Sequence, residues 1–282
     1  MSEEISSLQA RAILRGYGIK PRKALGQNFL ISSGVREIII DSAEIQPDDV
    51  VLEIGAGLGA LTERLVQEAE RVVSVELDEN LYRILTDTLG DIENLDILQA
   101  DILELEPAQL GLSAGYVVVA NIPYNITSAV IRHLMESQTP ATRVVLTIQK
   151  EVAERIVAGP GDMSLLALSV QIFGDPSIRA QISPGSFYPP PSVDSAVVRI
   201  DMHSDLTVTD AEIETLFKLA RAGFAQKRKQ LKNALAHGLP LDKSGAESLL
   251  RSCGVEPRSR AQALDVDTWV RLAKGYQDYE GA

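Results

Sequence analysis

Val50-Val51-Leu52-Glu53-Ile54-Gly55-Ala56-Gly57-Leu58-Gly59 is the stretch that decides the fold of this chain. Its first five residues are apolar apart from Glu53, the pattern of a strand covered on both faces. Three glycines follow at alternate positions; such residues take φ > 0 without a Cβ penalty and let backbone come close to a ligand. The next apolar residues, Leu61, Leu65 and Val66, fall at helical spacing. Strand, glycine turn and helix in that order open a doubly wound α/β sheet, whose ligands sit beyond the carboxyl ends of the strands.

Moving outward, a second strand, Arg71-Val72-Val73-Ser74-Val75, ends in Glu76. This acid lies about 20 residues past the glycines, where a carboxylate can hold both hydroxyls of a ribose. Gly55, Gly57 and Glu76 thus form the nucleoside half-site shared by dinucleotide enzymes and by methyltransferases that use S-adenosylmethionine. The Gly-x-Gly-x-Gly spacing after Glu53 differs from the Gly-x-Gly-x-x-Gly dinucleotide form and suits a cofactor without a pyrophosphate. A third strand, residues 95–98, leads to Asp101. That carboxylate reads equally as an acceptor for the amino group of the cofactor's adenine and as a helix cap.

A further apolar run, Tyr116-Val117-Val118-Val119-Ala120, reads as a buried parallel strand and ends in Asn121-Ile122-Pro123-Tyr124. Asn121 offers an amide donor and a carbonyl acceptor at a fixed point. Pro123 stiffens the turn and biases Ile122 away from helix. Tyr124 presents a flat face for a planar ring. An adenine amino group needs such a cradle, because its lone pair is delocalised and acceptors for N6–H favour the reactive, pyramidal form.

Residues 126–135 and 150–156 read as helices, 144–148 as a fifth strand, 163–173 as a largely buried helix and 196–200 as another strand. Before that last strand runs a Pro-rich loop, residues 185–195, whose three consecutive prolines impose extended geometry able to fix an aromatic over a site. At the amino end, residues 5–16 read as a helix with Ile5, Leu8, Ala12 and Ile13 on one side. Ser32 or Ser33 caps a helix running through Val35, Ile38, Ile39 and Ala43. From Leu206 the pattern changes to short helices at 211–222, 226–236, 244–253 and 266–276. Two domains are expected, 1–205 and 206–282.

The formal net charge of −12 argues against a nucleic-acid partner at first sight. Its distribution softens that: residues 206–282 hold 12 Lys+Arg against 10 Asp+Glu, and residues 1–205 hold 15 against 29. Basic clusters at Lys20, Arg22 and Lys23, and at Lys227, Arg228, Lys229 and Lys232, are the candidate RNA contacts. The single Cys253 and the scattered His133, His203 and His237 lack metal-ligand spacing, so no metal is expected. There is no signal-peptide pattern and no apolar run near the roughly 20 residues that span a bilayer, which reads as a cytoplasmic protein.

Together these segments resemble the ribosomal RNA adenine N6,N6-dimethyltransferases of the small-subunit (KsgA/RsmA) family, from about Lys20 to Asn233. The motifs stand in the family's order: Leu25-Gly26-Gln27-Asn28-Phe29-Leu30, then the glycine stretch, Glu76, Asp101, Asn121-Ile122-Pro123-Tyr124, and Phe-x-Pro-x-Pro-x-Val-x-Ser from Phe187. The resemblance implies a Rossmann-like class I methyltransferase domain with a seven-stranded sheet, followed by a small all-helical domain. It places cofactor contacts on Asn28, Leu30, Gly55, Gly57, Glu76, Asp101 and Asn121. Target-base contacts fall on Asn121, Pro123, Tyr124 and Phe187, with the extruded adenine between Tyr124 and Phe187. The implied reaction dimethylates N6 of two adjacent adenosines in the 3′-terminal hairpin loop of 16S rRNA, in the immature small ribosomal subunit, by a monomer using S-adenosylmethionine. Ile122 stands where bacterial members usually have Leu and resembles the macrolide-resistance branch, which dimethylates 23S rRNA. Against that branch stand Leu25-Gly26 before Gln27-Asn28, and Phe224-x-Gln226-x-Arg228-Lys229, which is similar to the small-subunit branch.

Overall fold

The structure, a computed structural model, describes residues 7–22, 26–206 and 208–280. Lys23 and Leu25 of the arm motif lie outside the described residues. Among those described are nine strands: β1 (Phe29–Leu30), β2 (Val50–Ile54), β3 (Arg71–Glu76), β4 (Leu95–Gln99), β5 (Val117–Asn121), β6 (Arg143–Gln149), β7 (Gly174–Ile182), β8 (Phe187–Tyr188) and β9 (Ser195–Met202). Seven form one sheet in the order β4-β3-β2-β5-β6-β9-β7, and β1 pairs antiparallel with β8 apart from it. Strands β2 to β6 run parallel to their neighbours, while β9 and β7 are antiparallel. Val117 to Ala120 are fully buried at the sheet's centre, as their unbroken apolar run requires.

The chain separates into two units, Met1–Ala153 with Gly174–Met202, and Glu154–Phe173 with His203–Ala282. The first carries α1 (Ser7–Gly16), α2 (Ser33–Ala43), α3 (Thr62–Glu68), α4 (Glu79–Leu89) and α5 (Thr127–Met135); α6 (Lys150–Ile156) straddles the division. The expected cut after residue 205 lies near the second boundary, but residues 154–173 group with the helical unit instead of with the sheet. Two hydrogen bonds help hold them there: Gly161 N–H donates to the Gln262 carbonyl and Gln262 Nε2 to the Gly161 carbonyl, both at 2.7 Å. That unit contains α7 (Leu165–Gln171), α8 (Asp210–Phe224), α9 (Leu231–Gly238), α10 (Lys243–Ser252) and α11 (Val266–Glu280). Fully buried Trp269 packs its ring on Phe224, with centroids 5.5 Å apart.

Several expectations need correction. On α1 the buried residues are Ala10 and Leu14, whereas Leu8 is 74% exposed. These join Phe29, Leu58, Leu81 and Ile84 in one cluster, so the amino-terminal helix packs against the glycine turn. On α2 the apolar face runs through Ile39, Ile40 and Ala43, and Ile38 is half exposed. Ser32 caps α2, its Oγ accepting from the Val35 N–H at 3.4 Å. β7 and α4 had no counterpart in the sequence reading. β7 is an edge strand with Pro176 near its start and a register shift between Ile178 and Ala180, which breaks the period-two pattern. The helix expected from residue 226 begins only at Leu231, leaving Lys227 to Lys229 in the turn before it.

Candidate active site

Sheet order reverses between β2 and β5, and the register there sets Ile54 beside Ala120. The following residues, Gly55 and Asn121, leave the sheet side by side at its carboxyl edge, the crevice where such sheets bind ligands. A cavity of about 1130 Å³, counting its open mouth, fills this crevice. Its walls are residues 26–30, the glycine turn, the ends of β3 and β4, and residues 121–126. All seven residues expected to contact a cofactor line it: Asn28, Leu30, Gly55, Gly57, Glu76, Asp101 and Asn121.

Gly57 has φ +62, and a Cβ there would lie 3.3 Å from the Phe29 ring, so a side chain is both strained and obstructed. Its N–H donates to Glu76 Oε2 at 2.9 Å, while Glu76 Oε1 accepts from the Asp78 N–H at 2.9 Å. Glu76 is buried, and desolvation pushes its pKa up against the pull of those N–H donors. Hydroxyl donors from a ribose would relieve that cost. Asp101 is a cap, its Oδ1 accepting from the Leu103 N–H of a 3₁₀ turn at 2.9 Å, and the residue also lines the cavity.

Glu53 lies beneath the glycine turn and is 1% exposed. Its Oε2 accepts from Thr62 Oγ at 2.7 Å and Ser74 Oγ at 2.5 Å, tying the end of β2 to the first turn of α3. Its Oε1 has no partner among the described residues. Burial raises its pKa to about 7, opposed by the two hydroxyls and reinforced by Glu76. Because the folded pKa exceeds the unfolded one, this group's stabilising contribution is full below pH 4.5 and is lost as pH rises to about 7. Glu53→Gln keeps the acceptor for both hydroxyls and cannot ionise. The variant should match the wild type near pH 4.5 and exceed it by about 2 kcal/mol at pH 8 in denaturant titrations. Equal stabilities at both pH values would sink this assignment.

Asn121 is oriented by its neighbour: Nδ2 donates to the Asn28 carbonyl at 3.1 Å. That fixes the amide and leaves Oδ1 as an acceptor at the cavity wall. Pro123 and Tyr124 also line the cavity, and the Tyr124 hydroxyl meets Ser195 Oγ at 2.5 Å. Phe187 does not line it. It pairs with Leu30 across β1 and β8, is 2% exposed and belongs to the main core. In this structure its ring is part of that core, which also contains Leu30.

The arm is latched at Asp78, whose Oδ2 takes Arg22 Nη1 and Gln27 Nε2, both at 3.3 Å. Arg22 is thus engaged in an ion pair, while Lys20 is exposed. In the helical unit Lys227, Arg228 and Lys229 are exposed. Lys232, by contrast, pairs with Glu247 at 3.0 Å. Among the described residues no group of His, Cys, Asp and Glu could hold a metal, and no helix is long and apolar enough to cross a membrane. Sequence reasoning missed Leu77 and Ile102, apolar wall residues directly after Glu76 and Asp101, and Gly26. The apolar residue following each acid is the signal available for the first two. Gly26, at φ +63, has its Cβ position 3.0 Å from Asn125 Oδ1 and 3.3 Å from Pro123 Cβ, a long-range approach with no local signature.

The profile of the family described as "Ribosomal RNA adenine dimethylase" matches residues 18–278. The chain belongs to the ribosomal RNA adenine dimethylase family. Similar relatives include the ribosomal RNA small subunit methyltransferase A of Dehalococcoides mccartyi (strain CBDB1), 45% identical, with 95% of this chain and 92% of the relative covered. The same-named protein of Lachnoclostridium phytofermentans is 41% identical, with 94% of each covered. Among solved structures, a dimethyladenosine transferase from Plasmodium falciparum aligns with a TM-score of 0.77 at 26% identity, covering 89% of this chain and 98% of that one. The 23S rRNA methyltransferase ErmE aligns at 0.71 and 26%, covering 89% and 100%. The fold is thus the class I methyltransferase arrangement.

Proposed function

We propose that this dimethylase transfers two methyl groups to N6 of each of two adjacent adenosines in the 3′-terminal hairpin loop of 16S rRNA, within the immature small ribosomal subunit. The observation that carries this reading is Asn121, whose amide is spent on Asn28 and whose carbonyl is left for an amino group. When bound in the cavity, S-adenosylmethionine would supply the methyl group to N6 and leave as S-adenosylhomocysteine. Glu76 would hold its ribose, Asp101 its adenine amino group, and Leu77 and Ile102 the faces of the ring. Gly55, Gly57, Asn28 and Leu30 shape the rest of the wall.

The target adenine is extruded from its stack and lies on Tyr124. Asn121 Oδ1 accepts one N6–H. Pro123's carbonyl already takes the Ile126 N–H at 3.1 Å, so we assign the second acceptor to the Ile122 carbonyl. Positioning and electrostatics supply the rate, with the proton leaving to water afterwards. Phe187 acts behind Leu30, keeping β1 in place.

Lys20 and the turn Lys227-Arg228-Lys229 supply sequence-independent phosphate affinity, and ribosomal shape supplies the rest for so acidic a cytoplasmic monomer. Replacing the three turn residues by glutamine should weaken subunit binding and reduce the magnitude of the log–log salt slope by about 2–3, with cofactor affinity unchanged. The 41–45% identity to small-subunit enzymes, against 26% to ErmE, favours the small subunit over the 23S alternative. The direct test offers labelled S-adenosylmethionine with unmethylated small and large subunits and analyses the nucleosides. Dimethyladenosine confined to 16S rRNA supports the reading, and label confined to 23S rRNA overturns it.

A further inference from the structure

We propose that Ser195 is a positioning residue for the target base, acting through Tyr124. Ser195 is fully buried and opens β9, flanked in register by Gln149 of β6 and Ile182 of β7. Three hydrogen-bonded strands therefore fix its Oγ. A hydroxyl in such a place is costly unless paired, and its side-chain partner among the described residues is the Tyr124 phenol, at 2.5 Å. Tyr124 is thus held at both ends, its backbone by the Pro123 turn and its hydroxyl by the sheet. Ser195 does not line the cavity. The phenol oxygen is consequently committed to the sheet, and the ring offers the base its face with no proton-transfer group.

This matters most for a site that works twice on one nitrogen. The second transfer starts from a monomethyl amine with a single N–H left to guide it, so it tolerates less tilt of the supporting ring than the first. Ser195 is therefore the residue that lets one platform serve both rounds. The inference rests on the functional reading above.

The test uses the full chain, unmethylated small subunits and four proteins: wild type, Ser195→Ala, Tyr124→Phe and the double variant. Ser195→Ala is expected to lower kcat about tenfold, the scale of a modest loss of alignment, with KM for S-adenosylmethionine changed less than about twofold. Monomethyladenosine should accumulate where the wild type makes the dimethyl product. Tyr124→Phe should behave alike, and the double variant no worse than either single one, because both remove the same bond. Wild-type kcat and product ratio in Ser195→Ala, or additive losses in the double variant, would overturn the proposal. A wild-type chain that makes no dimethyladenosine overturns the functional reading, and this inference with it.

Discussion

Asn121→Ala should lower kcat for methyl transfer by about 10²–10³-fold, the scale of removing one preorganised polar contact to a reacting group. Folding should survive, since the residue contributes one part-buried hydrogen bond to the Asn28 carbonyl, and its loss costs about 1 kcal/mol. Asn121→Asp sharpens the test. It keeps an acceptor for N6–H but loses the donor that the Asn28 carbonyl requires, setting oxygen against oxygen. Both variants should therefore be strongly impaired although only one lacks the acceptor. Single-turnover assays with enzyme and cofactor in excess over subunits would measure this directly, and undiminished transfer in Asn121→Ala would remove the tetrapeptide from the chemistry.

Glu76→Gln should raise the Kd for S-adenosylmethionine by about 100-fold, roughly the loss of two hydrogen bonds to a charged group. The amide also sets an N–H donor against one of the backbone donors that Glu76 now accepts, from Gly57 or Asp78. Without cofactor the variant should also lose the part of the pH dependence of stability that this group contributes. The buried carboxylate has a raised pKa, so its stabilising contribution is lost as pH rises, and the neutral amide avoids that loss. Ribose hydroxyls favour the ionised form, so wild-type affinity should fall as pH is lowered, beginning above the ordinary carboxylate range. Calorimetric titrations across pH would show this slope in the wild type and not in the variant. A variant that binds as tightly as the wild type would free Glu76 from the ribose.

Much of the site could be read from the chain because its decisive residues sit at the carboxyl ends of strands with plain signals. Val50 to Ile54 and the run before Asn121 are buried strands by composition alone, and the distance from Gly55 to Glu76 is set by one helix between two strands. What stayed hidden depends on partners distant in sequence. Lys232 looks like a free cation until α10 brings Glu247 to it, and Phe187 looks like a base contact until β8 pairs with β1. β7 combines Asp175, Pro176 and a bulge, which resembles a loop residue by residue and becomes a strand only against β9. On α1 the apolar Leu8 is exposed, while the smaller Ala10 takes the packed position, so apolar spacing alone points to the wrong face.

The bond from Asn121 to Asn28 spans 93 residues, and that from Tyr124 to Ser195 spans 71. A catalytic turn stitched to such distant chain cannot take shape from local structure; it waits on most of the sheet, closing late and at high entropic cost. Methyl transfer is then a report on completed folding. During refolding, activity should be among the last signals to return, after helical content and core burial. A nascent or partly unfolded copy would therefore be inert toward rRNA.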